Sequence, residues 1–177
     1  MSSSILPLIP VINRFKKAAE LRSRPAQKGS PGMLAVHYLC LNESATVHTA
    51  DLLRLVLQTN EEGAQKTGGV HRKLPVQMLC EGRQLNTISL AMFRRLVEAS
   101  KESVKGKGTN KHTLLHKICF SSRAVPHCEF SVELVRLILE AHKRAPEAAS
   151  GDGQRPLHRL AASEVLTQPS VIICSML

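Results

Sequence analysis

Histidine and cysteine are the side chains from which this 177-residue chain would have to build a catalytic or metal site, and it has eight of the first and five of the second. One grouping has metal-ligand character: His116, Cys119, His127 and Cys128 offer four donors of the kind that hold tetrahedral zinc. The adjacency of His127 and Cys128 argues against it, because neighbouring residues are poorly placed to bind one tetrahedral ion. Catalysis would need one histidine beside one acid or nucleophile. Instead His37, Gln77, His116 and His158 recur at steps of 40, 39 and 42 residues, which is the behaviour of structural positions. No nucleophile elbow or HExxH pattern is present, and Lys105-Gly-Lys-Gly-Thr109 lacks both the Walker spacing and a preceding strand. The expectation is a chain without catalytic, cofactor-binding or metal-ligating residues.

The elements that position these residues are read from the self-similarity around them. A first set of segments comprises Leu34-Ala-Val-His37-Tyr-Leu-Cys40, Leu74-Pro-Val-Gln77-Met-Leu-Cys80, Thr113-Leu-Leu-His116-Lys-Ile-Cys119 and Arg155-Pro-Leu-His158-Arg-Leu-Ala161. Each reads as a short helix. A second set follows the first three: Thr49 to Gln58, Ser89 to Glu98 and Ser131 to Glu140. Thr49, Ser89 and Ser131 stand just before amphipathic runs, where a hydroxyl caps the free amides of a helix start. Leu134, Val135, Ile138 and Leu139 fall at helical spacing, and Leu137 widens the stripe as in a helix covered on more than one side. Turn-rich stretches at Thr67-Gly-Gly69, Gly106-Lys-Gly108 and Gly151-Asp-Gly153 separate each second helix from the next first helix. Cys40, Cys80 and Cys119 share one position, where a small buried residue lets a neighbour approach. Helices about 8–10 Å apart hold such equivalent cysteines too far apart for a disulfide.

With these segments in view, the chain resembles the ankyrin-repeat family. The first-set segments look like degraded copies of Thr-Pro-Leu-His-x-Ala, with Pro-Leu-His intact at Pro156–His158 and Thr and His kept in Thr113-Leu-Leu-His116. The Leu-Val-Arg-Leu-Ile-Leu-Glu run and the Asp152-Gly153 turn are similar too. The resemblance implies an all-α solenoid of stacked helix-loop-helix units with finger-like turns. It also implies a non-catalytic scaffold that binds a partner protein through finger tips and a concave helix face. The departures are specific. Units of 39–42 residues exceed the family's usual length of about 33, and the excess lies between the helices, in Leu41–His48, Glu81–Ile88 and Phe120–Phe130. Gln77 replaces one motif histidine, so the family's loop-tying Thr–His hydrogen bond is expected only at Thr113 and His116.

The units run 33–73, 74–112 and 113–154. Residues 155–177 begin a fourth whose second helix is missing or reduced to Val171–Leu177. Residues 1–32 read as a half-repeat with a basic linker, in which Val11, Ile12, Phe15, Ala18 and Ala19 give a capping helix over 10–22. The same basic, serine-rich, nearly acid-free segment also reads as an organelle transit peptide. Otherwise an odd number of scattered cysteines points to a reducing compartment, cytoplasmic or nuclear. No apolar run reaches the roughly 18 residues of a membrane span.

The net charge of +10 is concentrated in two places. Residues 1–42 carry six cations against Glu20, and residues 101–124 carry six against Glu102. Fingers that project from one edge would line Arg72, Lys73, Lys105, Lys107, Lys111 and Arg155 into a basic ridge for an acidic protein partner. Nucleic acid or another anionic surface is the alternative ligand. It is disfavoured because one Tyr, four Phe and no Trp leave little to stack on bases. The chain is expected to be a monomer.

Overall fold

In the computed structural model of the protein, residues 17–18, 20–23, 28, 31–81, 86–120 and 127–177 are described. They are helical, with no strand among them beyond one isolated bridge between Gly68 and Lys73. From Ala35 onward the described residues form, in order, α1 (Ala35–Leu41), α2 (Val47–Thr59), α3 (Pro75–Glu81), α4 (Thr87–Ala99), α5 (Leu114–Cys119), α6 (Glu129–Ala141), α7 (Pro156–Ala161) and α8 (Gln168–Met176). Short 3₁₀ turns at Glu61–Gln65, Lys101–Lys105 and Ala145–Glu147 follow the long helices. None of these helices is long and apolar enough to cross a membrane.

The long helices begin three residues earlier than their hydroxyl residues suggest. Thr46, Asn86 and Cys128 occupy the N-cap positions, and Thr49, Ser89 and Ser131 sit at the third helical position. From there the hydroxyls accept the N-cap amides, at 3.1, 2.7 and 3.2 Å. They close a capping box from inside the helix rather than opening it. The same geometry starts α8, where the Thr167 N–H donates to Ser170 Oγ at 2.9 Å. A helix therefore does follow α7, and it starts ahead of Val171 for the same reason.

Each short helix packs on the long helix after it, and the long helices stack in series, α2 on α4, α4 on α6 and α6 on α8. The core lies between these layers. Leu53, Phe93, Leu134 and Val135 come from the long helices, with Leu79, Ile118 and Leu160 from the short ones, all buried. Leu39 and Leu137 are half-buried at its margin. The short helices pack in two couples, α1 on α3 and α5 on α7. Between α3 and α5 close backbone packing gives way to charged side chains.

The expected capping helix over 10–22 falls largely outside the described residues. Lys17, Ala18 and Glu20 are helical, and Ala18 lines an apolar groove with Tyr38, Leu39, Leu52 and Val56. The inter-helix excess at 82–85 and 121–126 also lies outside them.

Candidate functional site

The site is built on three turns, each fastened to the short helix before it by one side chain. The buried His37 ring accepts the Leu34 N–H at Nδ1 (3.0 Å) and donates from Nε2 to the Lys66 carbonyl (2.9 Å). His116 does the same with the Thr113 N–H (3.2 Å) and the Gln154 carbonyl (2.9 Å). Its Nδ1 also meets Thr113 Oγ1 at 2.8 Å. Gln77 reproduces the arrangement with an amide: Oε1 accepts the Leu74 N–H (3.1 Å) and Nε2 donates to the Gly106 carbonyl (3.1 Å). The tie thus survives the replacement of histidine, because a primary amide offers the same acceptor and donor at the same reach. His158 keeps the helix-start half, accepting the Arg155 N–H at 2.9 Å, and its ring is exposed. Gly68 is needed beside the first tie, since a Cβ there would lie 2.8 Å from the His37 ring.

The turns are closed by their own backbone. Gly68 and Lys73 exchange two hydrogen bonds (2.9 and 3.1 Å), the Gly108 N–H donates to the His112 carbonyl (2.8 Å), and the Ser150 N–H to the Gln154 carbonyl (2.8 Å). The second and third turns touch directly, the Gly151 N–H donating to the Asn110 carbonyl at 2.6 Å. Among the described residues the non-glycine positions with positive φ are Arg72 (49°), Asn110 (56°) and Lys111 (57°). All three lie in these turns, and two are candidate docking cations.

The six basic residues expected to form a ridge separate into two groups. Lys107, Lys111 and Arg155 are exposed and make no ion pair among the described residues. Arg72 is exposed at the tip of the first turn. Lys105 instead ends the 3₁₀ turn and pairs with Glu102 (2.5 Å), and Lys73 pairs with Glu81 at the end of α3. Residues 101–105 are ordered by the burial of Val104 and by the Ser103 hydroxyl on the Ser100 carbonyl, so the finger proper spans 106–112.

Glu81 also receives Lys117 from α5. Lys73, Glu81 and Lys117 expose only 27, 28 and 22% of their side chains, and they bridge the gap between α3 and α5. Removal from water, then the neighbouring Lys73, holds the Lys117 ammonium below the usual lysine range. Arg159 of α7 donates from Nη2 to His112 Nε2 (2.8 Å) and lies over the Phe120 ring, 5.7 Å from its centroid. His112 in turn stacks on His116 with ring centroids 5.6 Å apart. Sequence reasoning missed Lys117 and Arg159. Both directly follow a motif histidine, in the alignment column that also holds Tyr38 and Met78.

The other pair of the four-donor grouping, His127 and Cys128, is engaged elsewhere. His127 Nε2 donates to the Ile118 carbonyl and Nδ1 meets Ser170 Oγ, both at 2.8 Å, so this ring is a strut between α5 and α8. Cys128 Sγ lies 3.5 Å from Ser131 Oγ. Among the described residues no three His, Cys, Asp or Glu side chains converge as metal ligands. Burial pushes the Cys80 and Cys119 thiols up to about 12, which keeps them protonated and unreactive. None of the five cysteines forms a disulfide. Compared with protein-family models, with curated proteins and with solved structures, the chain matches none.

Proposed function

We propose that the chain is a non-catalytic protein-interaction scaffold, a solenoid of ankyrin-like units that docks an acidic partner on its turns and on the adjoining short-helix face. The observation that carries the reading is the row of turns itself. Three consecutive turns are fastened by equivalent side chains, His37, Gln77 and His116, and they present Arg72, Lys107, Lys111 and Arg155 outward. Supporting it, Arg72 and Lys111 hold a left-handed backbone that costs a side-chain-bearing residue about 1–2 kcal/mol. Strain of this kind concentrates where backbone geometry serves binding. The series of stacked long helices is the arrangement that adjoining repeats would produce.

The test uses the full chain as bait beside the triple variant Lys105→Glu, Lys107→Glu, Lys111→Glu. A partner captured by the native chain should associate with the variant at least about tenfold more slowly, with the folding transition nearly unchanged. Equal capture by both would remove the ridge from the account. A steep loss of binding with salt, accompanied by recovery of nucleic acid, would assign the surface to phosphates instead.

A further inference from the structure

We propose that the outer face of α7 and α8 is a self-association surface, on which a second copy of the chain docks through the same face. The inference goes beyond the scaffold reading, does not rest on it, and replaces the expectation of a monomer.

The face emerges from comparing aligned positions along the chain. Ser170 of α8 holds the capping position of Thr49, Ser89 and Ser131. Four residues further on, Leu53, Phe93 and Val135 are each fully buried, and α8 places Cys174 there in the open. One residue on, Ala50, Leu90 and Val132 pack against the core, whereas Val171 is 62% exposed. The short helices agree. Directly before the tie residue, Val36, Val76 and Leu115 are buried, and Leu157 is 45% exposed. Ala161 is exposed where Cys40 and Cys119 are buried and Cys80 is half-buried.

A neighbouring column fixes the direction. Three residues after the capping hydroxyl the order reverses: Leu52 of α2 is 40% exposed, and Met92, Leu134 and Ile173 are buried. One column therefore faces back along the series of long helices and the other faces ahead. α7 and α8 thus leave uncovered the surface that each earlier helix pair turns toward the next, so the face continues an interface already present within the chain.

Charge indicates the occupant. No charged side chain occurs in residues 165–177, and Arg159 is engaged with His112 and Phe120. Two chains of net charge +10 repel each other in most orientations. This face lets them meet through apolar carbons without setting like charges together, and an uncharged apolar surface matches itself, as a two-fold interface requires. An acidic partner would find little here to pair with. Two short helices side by side span about 20 Å, less than the roughly 800 Å² per partner of a standard interface needs, so the dimer is weak and concentration-dependent.

The experiment is sedimentation velocity on the full chain from about 1 to 500 μM, at low and at physiological salt, with thiol labelling of Cys174 followed by mass spectrometry. The expected result is a monomer–dimer equilibrium that tightens with salt, because screening relieves the repulsion between the copies. Cys174 labelling should slow as protein concentration rises. Val171→Glu and Leu157→Glu alter exposed side chains, so unfolding midpoints should match the native chain while dimerisation weakens at least about tenfold. Leu52→Glu, at the opposite end, should leave the dimer intact. A chain that stays monomeric throughout, or Cys174 labelling that ignores concentration, would overturn the proposal. So would growth beyond the dimer or its loss in Leu52→Glu, which would indicate head-to-tail contacts. Should either glutamate variant fail to fold, the concentration dependence of Cys174 labelling in the native chain decides by itself.

Discussion

Gln77 donates from its side-chain amide to the carbonyl of Gly106, 29 residues ahead, as His37 donates to Lys66 across the same separation. The two side chains differ in every chemical property except the one used, an acceptor and a donor about one ring apart. If that is the whole requirement, Gln77→His should leave stability within about 1 kcal/mol of native. Gln77→Ala strands the buried Leu74 amide and frees the finger, at a cost of about 1–3 kcal/mol. Urea denaturation of the two variants checks both values.

The same tie makes stability depend on acid. Burial is the main cause holding the imidazoles of His37, His116 and His127 below their ordinary value. The unfolded chain takes up these protons near pH ~6.5, and the folded chain does so only at lower pH. Between those values the unfolded state binds more protons, so their contribution is complete above about pH 6.5 and is lost as pH falls through the folded values. Replacing His37 and His116 together by Gln should flatten the decline in urea midpoint between about pH 7 and pH 5. His127 would supply the part that remains. An equally steep decline in the double variant would show that these rings are not its source.

At Lys111 stability and function should move in opposite directions. Its φ of 57° suits glycine, so Lys111→Gly should stabilise the fold by about 0.5–1 kcal/mol once the extra freedom of the unfolded chain is counted. The same change deletes an exposed cation of the ridge and should weaken capture of an acidic partner. Thermal denaturation and binding, measured on one preparation, separate the two effects.

Core and margin should answer differently to truncation. Phe93 is fully buried in α4, and Phe93→Ala should cost about 3–5 kcal/mol. Leu137 lines a surface groove with Arg94, Val97 and Glu140, so Leu137→Ala should cost about 1–2 kcal/mol, below the range for a core leucine.

The helix pairs and the turns between them were legible because hydrophobic spacing and glycine placement are local signals. The helix starts near Thr49, Ser89 and Ser131 are ambiguous in sequence because a hydroxyl serves equally well at the N-cap and three residues inside it. Only the N-cap residue's own amide, accepted by that hydroxyl, distinguishes the positions. The 3₁₀ turn at Lys101–Lys105 was hidden because its lysines suggest a solvated loop while Val104 anchors it in the core. Lys73 and Lys117 meet Glu81 across α3 and α5, and no sequence period announces which charges such a junction brings together. His127 offered the chemistry of a metal ligand, and its use as a strut depends on Ser170, 43 residues away.

The central claim is that the turns dock an acidic protein through Lys107, Lys111 and their neighbours. The most direct measurement is the association rate of a captured partner with the native chain and with the Lys105→Glu, Lys107→Glu, Lys111→Glu variant, each at low and at physiological salt. The account predicts a variant rate at least about tenfold lower at low salt, a gap that narrows as salt screens the charges, and matching unfolding midpoints. Equal association rates for the two chains at low salt would contradict it.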